Sequence, residues 1–169
     1  LSPAYEDSLQ ALCAALNRDV PCACSLLPIS LSTKDDRETA ETADIRALCD
    51  DGIRFGTASV CIPASYVRQA KLYVGGKLPI CTVIGFPHGA HHADVKVFEA
   101  QRALDDGCKE LDMVINIGAM LAGDENYVQD EIARLAQAAH DRDAILKVIL
   151  ETCYLNDEQK KLKQKSHAP

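Results

Sequence analysis

The chain contains 169 residues, of which 47% are hydrophobic and 25% are charged, a composition typical of one soluble globular domain. Its formal net charge of −7 argues against nucleic acid or an anionic membrane as the main partner, because both attract clustered Lys and Arg side chains. The sequence contains no apolar run near the ~20 residues that a membrane helix needs, and no signal-like segment at its start. We therefore predict a cytoplasmic protein without a membrane partner.

Eight cysteines are scattered along the chain, and no two of them form a Cys-x-x-Cys pair. They are Cys13, Cys22, Cys24, Cys49, Cys61, Cys81, Cys108 and Cys153. A chain of this length builds a core without disulfide staples. We therefore predict reduced thiols that pack mostly as small hydrophobic side chains.

Short apolar runs typical of strands alternate with amphipathic segments typical of helices. In chain order the pattern predicts a helix over residues 5–17, a weak strand over 26–31, a helix over 35–50, a strand over 57–62 and a helix beginning at Pro63. It continues with a strand over 80–86, a helix capped by Asp94 and ended by Gly107, a strand over 110–116, a helix over 123–142 and a strand over 145–152. This alternation predicts a single domain over residues 1–169, with a parallel sheet and right-handed crossovers.

Two of the predicted strands carry charge on one face only. Asp112 lies opposite Leu111 and Met113, and Lys147 lies opposite Leu146 and Val148. Helices cover both faces of an open doubly wound sheet, whose central strands read as nearly continuous apolar runs. A barrel interior that opens onto an active site fits the charged face better, so we predict an α/β fold of the TIM-type (β/α)₈ barrel class. The length accommodates about the first five strand–helix units of a barrel that typically takes ~250 residues.

Lys147 and Asp112 are the residue types that carbonyl chemistry needs. Burial lowers the pKa of a lysine unless a carboxylate holds it up, and a neutral amine can form a Schiff base with a carbonyl. A carboxylate on the next strand can move protons or position a water. The alternative is a buried structural ion pair, and spacing alone does not show that the two side chains meet. Cys61, at the end of a predicted strand, either faces the barrel mouth or packs as a small residue.

The segment of residues 85–92 follows a predicted strand and is expected to form a binding loop. Its three histidines, His88, His91 and His92, have neither the spacing of a helical His-x-x-x-His pair nor a carboxylate partner, so we predict no metal site there. Gly85 and Gly89 do not form a phosphate-binding glycine pattern.

Three stretches of the sequence resemble deoxyribose-phosphate aldolases. The first is Ser-Val-Cys-Ile-Pro at residues 59–63, followed by Tyr-Val at 66–67. The second is Thr-Val-Ile-Gly-Phe-Pro-His-Gly at residues 82–89, leading into Lys-Val-Phe-Glu-Ala at 96–100. The third combines residues 107–118 with residues 146–152. Their order and spacing also match, so the resemblance covers the chain from about residue 27 to residue 158.

The resemblance implies a class I aldolase, a lyase without metal or other cofactor, that reversibly cleaves 2-deoxy-D-ribose 5-phosphate to glyceraldehyde 3-phosphate and acetaldehyde. It implies that Asp112 is the catalytic aspartate of a proton relay, that Cys61 contacts the substrate and that Lys147 is a further polar group of the interior. The family's Schiff-base lysine, in a Lys-Thr-Ser-Thr-Gly strand, and a second catalytic lysine on the next strand both come after residue 169. The implied partner is a small phosphorylated sugar, and the sequence leaves a homo-oligomer open.

Two other hypotheses stay open at this point. The family's Asp-Leu-Thr strand reads Pro-Ile-Ser at residues 28–30, so an interior aspartate is replaced. Together with the absent lysine motifs, this change favours a catalytically inactive paralogue or fragment that acts as a binding or scaffold protein. In the third hypothesis, Lys147 itself serves as the Schiff-base amine of a shortened enzyme.

Overall fold

The computed structural model describes residues 31–32 and 41–154, and its five strands form one parallel sheet in chain order. The strands are β1 (Leu31–Ser32), β2 (Val60–Cys61), β3 (Ile80–Ile84), β4 (Glu110–Val114) and β5 (Ile145–Ile149). The helices are α1 (Thr42–Phe55), α2 (Val67–Val74), α3 (Ala93–Asp105), α4 (Ile117–Leu121) and α5 (Glu125–His140). The predicted helix over residues 5–17 and the first five residues of the predicted strand over 26–31 lie outside the described residues.

The order of the strands identifies the architecture. A doubly wound sheet reverses its strand order at a switch point, whereas successive strands of a barrel always add on the same side. Here every strand pairs in parallel with the next one along the chain, and helices connect them. The predicted α/β class is confirmed, and the sheet is the first part of a TIM-type barrel.

The hydrophobic core lies between the sheet and its helices. Val60, Ile80, Leu111 and Met113 point towards the helices and are all buried. Each such side chain stabilises the fold by about 1.5–3 kcal/mol relative to an exposed position. Helix α5 packs against α3 and β5, and α2 packs against α1 and β3. This packing fixes the sheet so that its other face becomes the interior of the barrel. None of the described helices is long and apolar enough to cross a bilayer.

Helix α1 continues to Phe55, although the sequence pattern predicted an end at residue 50. Position 52, inside the helix, needs a glycine because a Cβ atom there would come within 2.7 Å of the side chains of Leu78 and Val60. The missing side chain lets α1 approach the sheet closely. Gly56, at a φ of +64°, then ends the helix in the left-handed conformation.

Two predicted helix starts are wrong. Pro63 precedes a short 3₁₀ turn, and α2 begins only at Val67. Asp94 lies in the first turn of α3 and does not cap it, since the N-cap residue is His92. The Asp94 carboxylate instead forms an ion pair with Arg134 on α5. An acidic side chain in a first turn is favoured by the helix dipole without acting as the cap.

The predicted strands are longer than the observed ones, and α4 was not predicted. Strand β4 ends at Val114 because Asn116 starts α4, accepting a hydrogen bond from the Ala119 N–H at 3.0 Å. The start of α5 agrees with the prediction, since the Asp124 side chain accepts a hydrogen bond from the Tyr127 N–H at 3.1 Å.

Candidate active site

Six side chains with polar or thiol groups lie together on the interior face of the sheet, and we call them the interior cluster. They are Ser59, Cys61, Cys81, Glu110, Asp112 and Lys147. Alternation along a strand brings residues two apart to the same face. Parallel pairing in register then places Asp112 beside Lys147 and Cys61 beside Cys81.

Lys147 contacts both carboxylates of the cluster. Its Nζ lies 2.8 Å from Asp112 Oδ1 and 2.9 Å from Glu110 Oε2. Glu110 Oε2 also accepts a hydrogen bond from the Ser59 hydroxyl at 2.8 Å. In this part of the barrel the side chain of Lys147 is 38% exposed and that of Asp112 is 23% exposed.

The environment keeps Lys147 charged. Burial lowers its pKa, but the contacts with Asp112 and Glu110 raise it by more, so the pKa lies above its usual range. The sequence left open whether Lys147 and Asp112 meet, and the structure shows that they do. Because an ammonium group is not a nucleophile, this result argues against Lys147 as a Schiff-base amine.

One oxygen of Asp112 has hydrogen-bonding capacity to spare. Oδ1 forms an ion pair with Lys147 Nζ at 2.8 Å. Oδ1 is buried and accepts no hydrogen bond from the described residues. A carboxylate oxygen has two lone pairs, so one further donor can be accommodated beside the ammonium group. The arrangement suits a carboxylate that receives a proton from a bound hydroxyl or water.

The two thiols of the cluster differ in their surroundings. Cys61 is half-buried, and its pKa is lowered, chiefly by its hydrogen bond with Cys81 and against the opposing effects of burial and Asp112. That same hydrogen bond and burial raise the pKa of Cys81. The two sulfur atoms and a carboxylate oxygen of Asp112 lie within 4.8 Å of one another, the one such set of metal-ligand atoms within residues 31–32 and 41–154. Lys147 Nζ, 3.6 Å from Cys81 Sγ, already places a positive charge beside this set.

The loop after β3 is held against the end of β4. A Cβ atom on Gly89 would lie 1.8 Å from the carbonyl oxygen of Ile115, and Gly89 has a φ of +65°. The Gly85 N–H donates a hydrogen bond to Glu99 Oε2 at 2.9 Å. Gly89 therefore serves close backbone approach, whereas a Cβ atom on Gly85 would come within 2.7 Å of the Lys96 side chain. The histidines at 88, 91 and 92 are exposed and belong to no candidate metal site in the described part of the chain.

Comparison with known proteins identifies the family. The sequence pattern of the DeoC/LacD family of aldolases matches residues 24–168. The chain belongs to this family. The deoxyribose-phosphate aldolase of Thermococcus kodakarensis is 50% identical over 124 residues, which are 72% of this chain and 55% of that protein. This chain thus spans little more than half the length of such relatives.

Solved structures agree with the assignment to the DeoC/LacD family. A candidate deoxyribose-phosphate aldolase from Coccidioides immitis superimposes with a TM-score of 0.72 and 31% identity, covering 99% of this chain and 70% of that one. The deoxyribose-phosphate aldolase of Aeropyrum pernix, described as a tetramer of unique structure, gives a TM-score of 0.69 and 27% identity over 82% of this chain and 56% of that one. The resemblance inferred from three sequence motifs is therefore confirmed.

Three members of the interior cluster of this DeoC/LacD family chain were not found from the sequence. Glu110 lies two residues before Asp112 and Ser59 lies two residues before Cys61, so the alternation of a strand already placed them on the right faces. Cys81 gave no comparable signal, because its place beside Cys61 depends on the register between β2 and β3.

Proposed function

We propose that the complete protein is a deoxyribose-phosphate aldolase, a lyase that reversibly cleaves 2-deoxy-D-ribose 5-phosphate to glyceraldehyde 3-phosphate and acetaldehyde. This reaction belongs to the breakdown of deoxyribonucleotides. The supporting observation is the Asp112–Lys147–Glu110 cluster on the interior face of the barrel, in a chain 50% identical to a deoxyribose-phosphate aldolase over 124 residues. The proposal extends to the whole protein because the chain spans 55% of that relative.

In this proposal Asp112 moves protons. Aldol cleavage requires a base that removes the proton from the substrate hydroxyl as the carbon–carbon bond breaks, and an acid that later protonates carbon. The place of Asp112 on the interior face, beside the Lys147 ammonium group at 2.8 Å, supports this role. Lys147 acts as a positioning residue, because its ammonium group holds the carboxylates of Asp112 and Glu110 at 2.8 and 2.9 Å. Cys61, at the end of β2, contacts the substrate. The Schiff-base lysine is proposed to lie on a later strand, as the resemblance implies.

The protein is proposed to act in the cytoplasm as a homo-oligomer. The five described cysteines are free thiols, as expected in a reducing compartment. The tetrameric structure described for the Aeropyrum pernix relative supports self-association. Its proposed partner is a small phosphorylated sugar, with no metal or other cofactor, as the class I resemblance implies.

The experiment uses the complete polypeptide and follows acetaldehyde release from 2-deoxy-D-ribose 5-phosphate. Asp112→Asn is expected to lower kcat by at least ~100-fold, the usual contribution of a positioned acid or base. Asp105→Asn, which changes an exposed carboxylate of α3 paired with Arg142, is the matched control and should retain the activity. Normal turnover by Asp112→Asn would contradict the proposed role.

A second measurement separates the aldolase from the other two hypotheses. Borohydride added together with the substrate should reduce a covalent imine and increase the mass of the protein. In Lys147→Met the adduct should persist, because the amine lies elsewhere. An adduct on Lys147 would support the shortened enzyme, and no adduct with no turnover would leave a binding or scaffold protein.

A further inference from the structure

Cys61 and Cys81 occupy paired positions on neighbouring parallel strands, and both side chains point to the barrel interior. Neighbouring strands lie about 4.7–4.9 Å apart, inside the ~4.4–6.8 Å range of Cα separations in disulfides. The two sulfur atoms already lie within 4.8 Å of each other. Rotation about the Cα–Cβ bonds can bring the two sulfur atoms closer together from this separation.

The two thiols are suited to different steps of an oxidation. The thiolate is the nucleophilic form of cysteine, and it reacts where an oxidant can reach it. Cys61 is half-buried, carries the lowered pKa and lies at the C-terminal end of β2. Cys81 is buried behind it and remains a thiol. This combination of an accessible attacking cysteine with an adjacent resolving cysteine is typical of redox-active sites.

We propose that Cys61 and Cys81 form an oxidation site at which a hydroperoxide converts the two thiols into one disulfide. The Cys61 thiolate attacks one peroxide oxygen, the O–O bond breaks and hydroxide leaves, so that Cys61 becomes a sulfenic acid. The Cys81 sulfur then attacks the Cys61 sulfur and displaces the sulfenic oxygen as hydroxide. With the two thiol protons, the two hydroxides become water, and hydrogen peroxide takes up the two electrons that the thiols lose.

The disulfide changes the interior cluster. It removes the free thiol of Cys61 from the barrel interior and bonds its sulfur to the Cys81 sulfur that Lys147 contacts at 3.6 Å. Oxidation should therefore abolish the proposed aldolase activity, and a dithiol should restore it. That effect on activity rests on the proposed function, whereas the disulfide itself does not.

The test maps the disulfide directly. Reduced protein in EDTA is treated with one equivalent of hydrogen peroxide, alkylated and digested with trypsin without reductant. Cys61 falls in the peptide of residues 55–68 and Cys81 in that of residues 78–96, and each peptide contains one cysteine. We expect these two peptides to be linked, with a loss of ~2 Da from the intact chain that dithiothreitol reverses.

Two variants complete the experiment. In Cys81→Ala, treated beside the wild type with two equivalents of hydrogen peroxide because each oxidation step consumes one, the linked peptide should be lost, and Cys61 should instead gain ~32 Da as a sulfinic acid. Cys153→Ala, which changes an exposed thiol outside the sheet, is the matched control and should leave the linked pair intact.

The proposal would be overturned if wild-type Cys61 became a sulfinic acid as fast as in Cys81→Ala, or if Cys61 were linked to a cysteine other than Cys81. Linked peptides from a protein without aldolase activity would support the oxidation site while refuting the proposed function. An active aldolase that never forms the linked pair would refute the oxidation site and support the proposed function.

Discussion

Lys96 and Glu131 form an ion pair that is completely buried between α3, α5 and the end of β4. Both side chains are 0% exposed, and Nζ lies 2.5 Å from Glu131 Oε1. Nζ also donates a hydrogen bond to the carbonyl of Val114 at 2.8 Å, and Glu131 Oε2 accepts one from the N–H of Asn116 at 3.0 Å. The pair therefore holds the segment of chain that directly follows Asp112 in β4.

Changing one partner should be far more damaging than changing both. Lys96→Met leaves a buried carboxylate without its counter-charge, and Glu131→Leu leaves a buried ammonium, each of which should cost about 3–5 kcal/mol. The double variant removes both charges and loses only the hydrogen bonds to Val114 and Asn116. That change should cost about 1–3 kcal/mol for the backbone groups left unpaired. Since the single costs sum to ~6–10 kcal/mol, the coupling energy should exceed about 3 kcal/mol.

Urea unfolding of the complete polypeptide, followed by circular dichroism, measures all four members of this cycle. Asp105→Asn, in the exposed pair with Arg142, provides a control that should change the free energy of unfolding by less than ~1 kcal/mol. The reasoning would be refuted if the two single costs added within about 0.5 kcal/mol in the double variant, as they do for independent sites.

Three further predictions concern the loop after β3 and the interior cluster. Gly89→Ala should lower Tm far more than Gly76→Ala. Both residues have a positive φ, but only a Cβ atom at position 89 would meet the Ile115 carbonyl oxygen, at 1.8 Å. Equal decreases of Tm in thermal denaturation would contradict this prediction. The pKa of Lys147 is raised in the folded state, so its contribution to stability is fully present below pH ~10 and is lost as the pH rises through the folded-state pKa. The difference in the free energy of unfolding between wild type and Lys147→Met, measured in urea, should thus be constant from neutral pH to pH ~9 and shrink above pH ~10.5. A difference that grew above pH ~10.5 would show that folding does not stabilise the charged form of Lys147. Iodoacetamide near neutral pH should alkylate Cys61 before Cys81, as peptide mapping would show, because only Cys61 has a lowered pKa.

Local sequence patterns were sufficient for the architecture and for half of the interior cluster. The two-residue period of a strand is a property of the backbone itself, so Asp112 and Lys147 could be assigned to the face opposite Leu111 and Leu146 without knowing the fold. Alternating strand and helix segments predicted the parallel sheet. Helix starts were less predictable. Pro63 is followed by a 3₁₀ turn rather than by an α-helix, and Asp94 lies in the first turn of α3, where its carboxylate pairs with Arg134.

The contacts that define the chemistry were decided by the tertiary structure. The sequence placed Cys61 and Cys81 on separate strands, but only the register between β2 and β3 makes them neighbours. The Lys96–Glu131 pair joins two helices 35 positions apart in the chain. No local period connects such residues, because their contact depends on how the helices pack on the sheet. The sequence by itself therefore determined which face each polar group occupies, and the packing of helices on strands determined which groups meet.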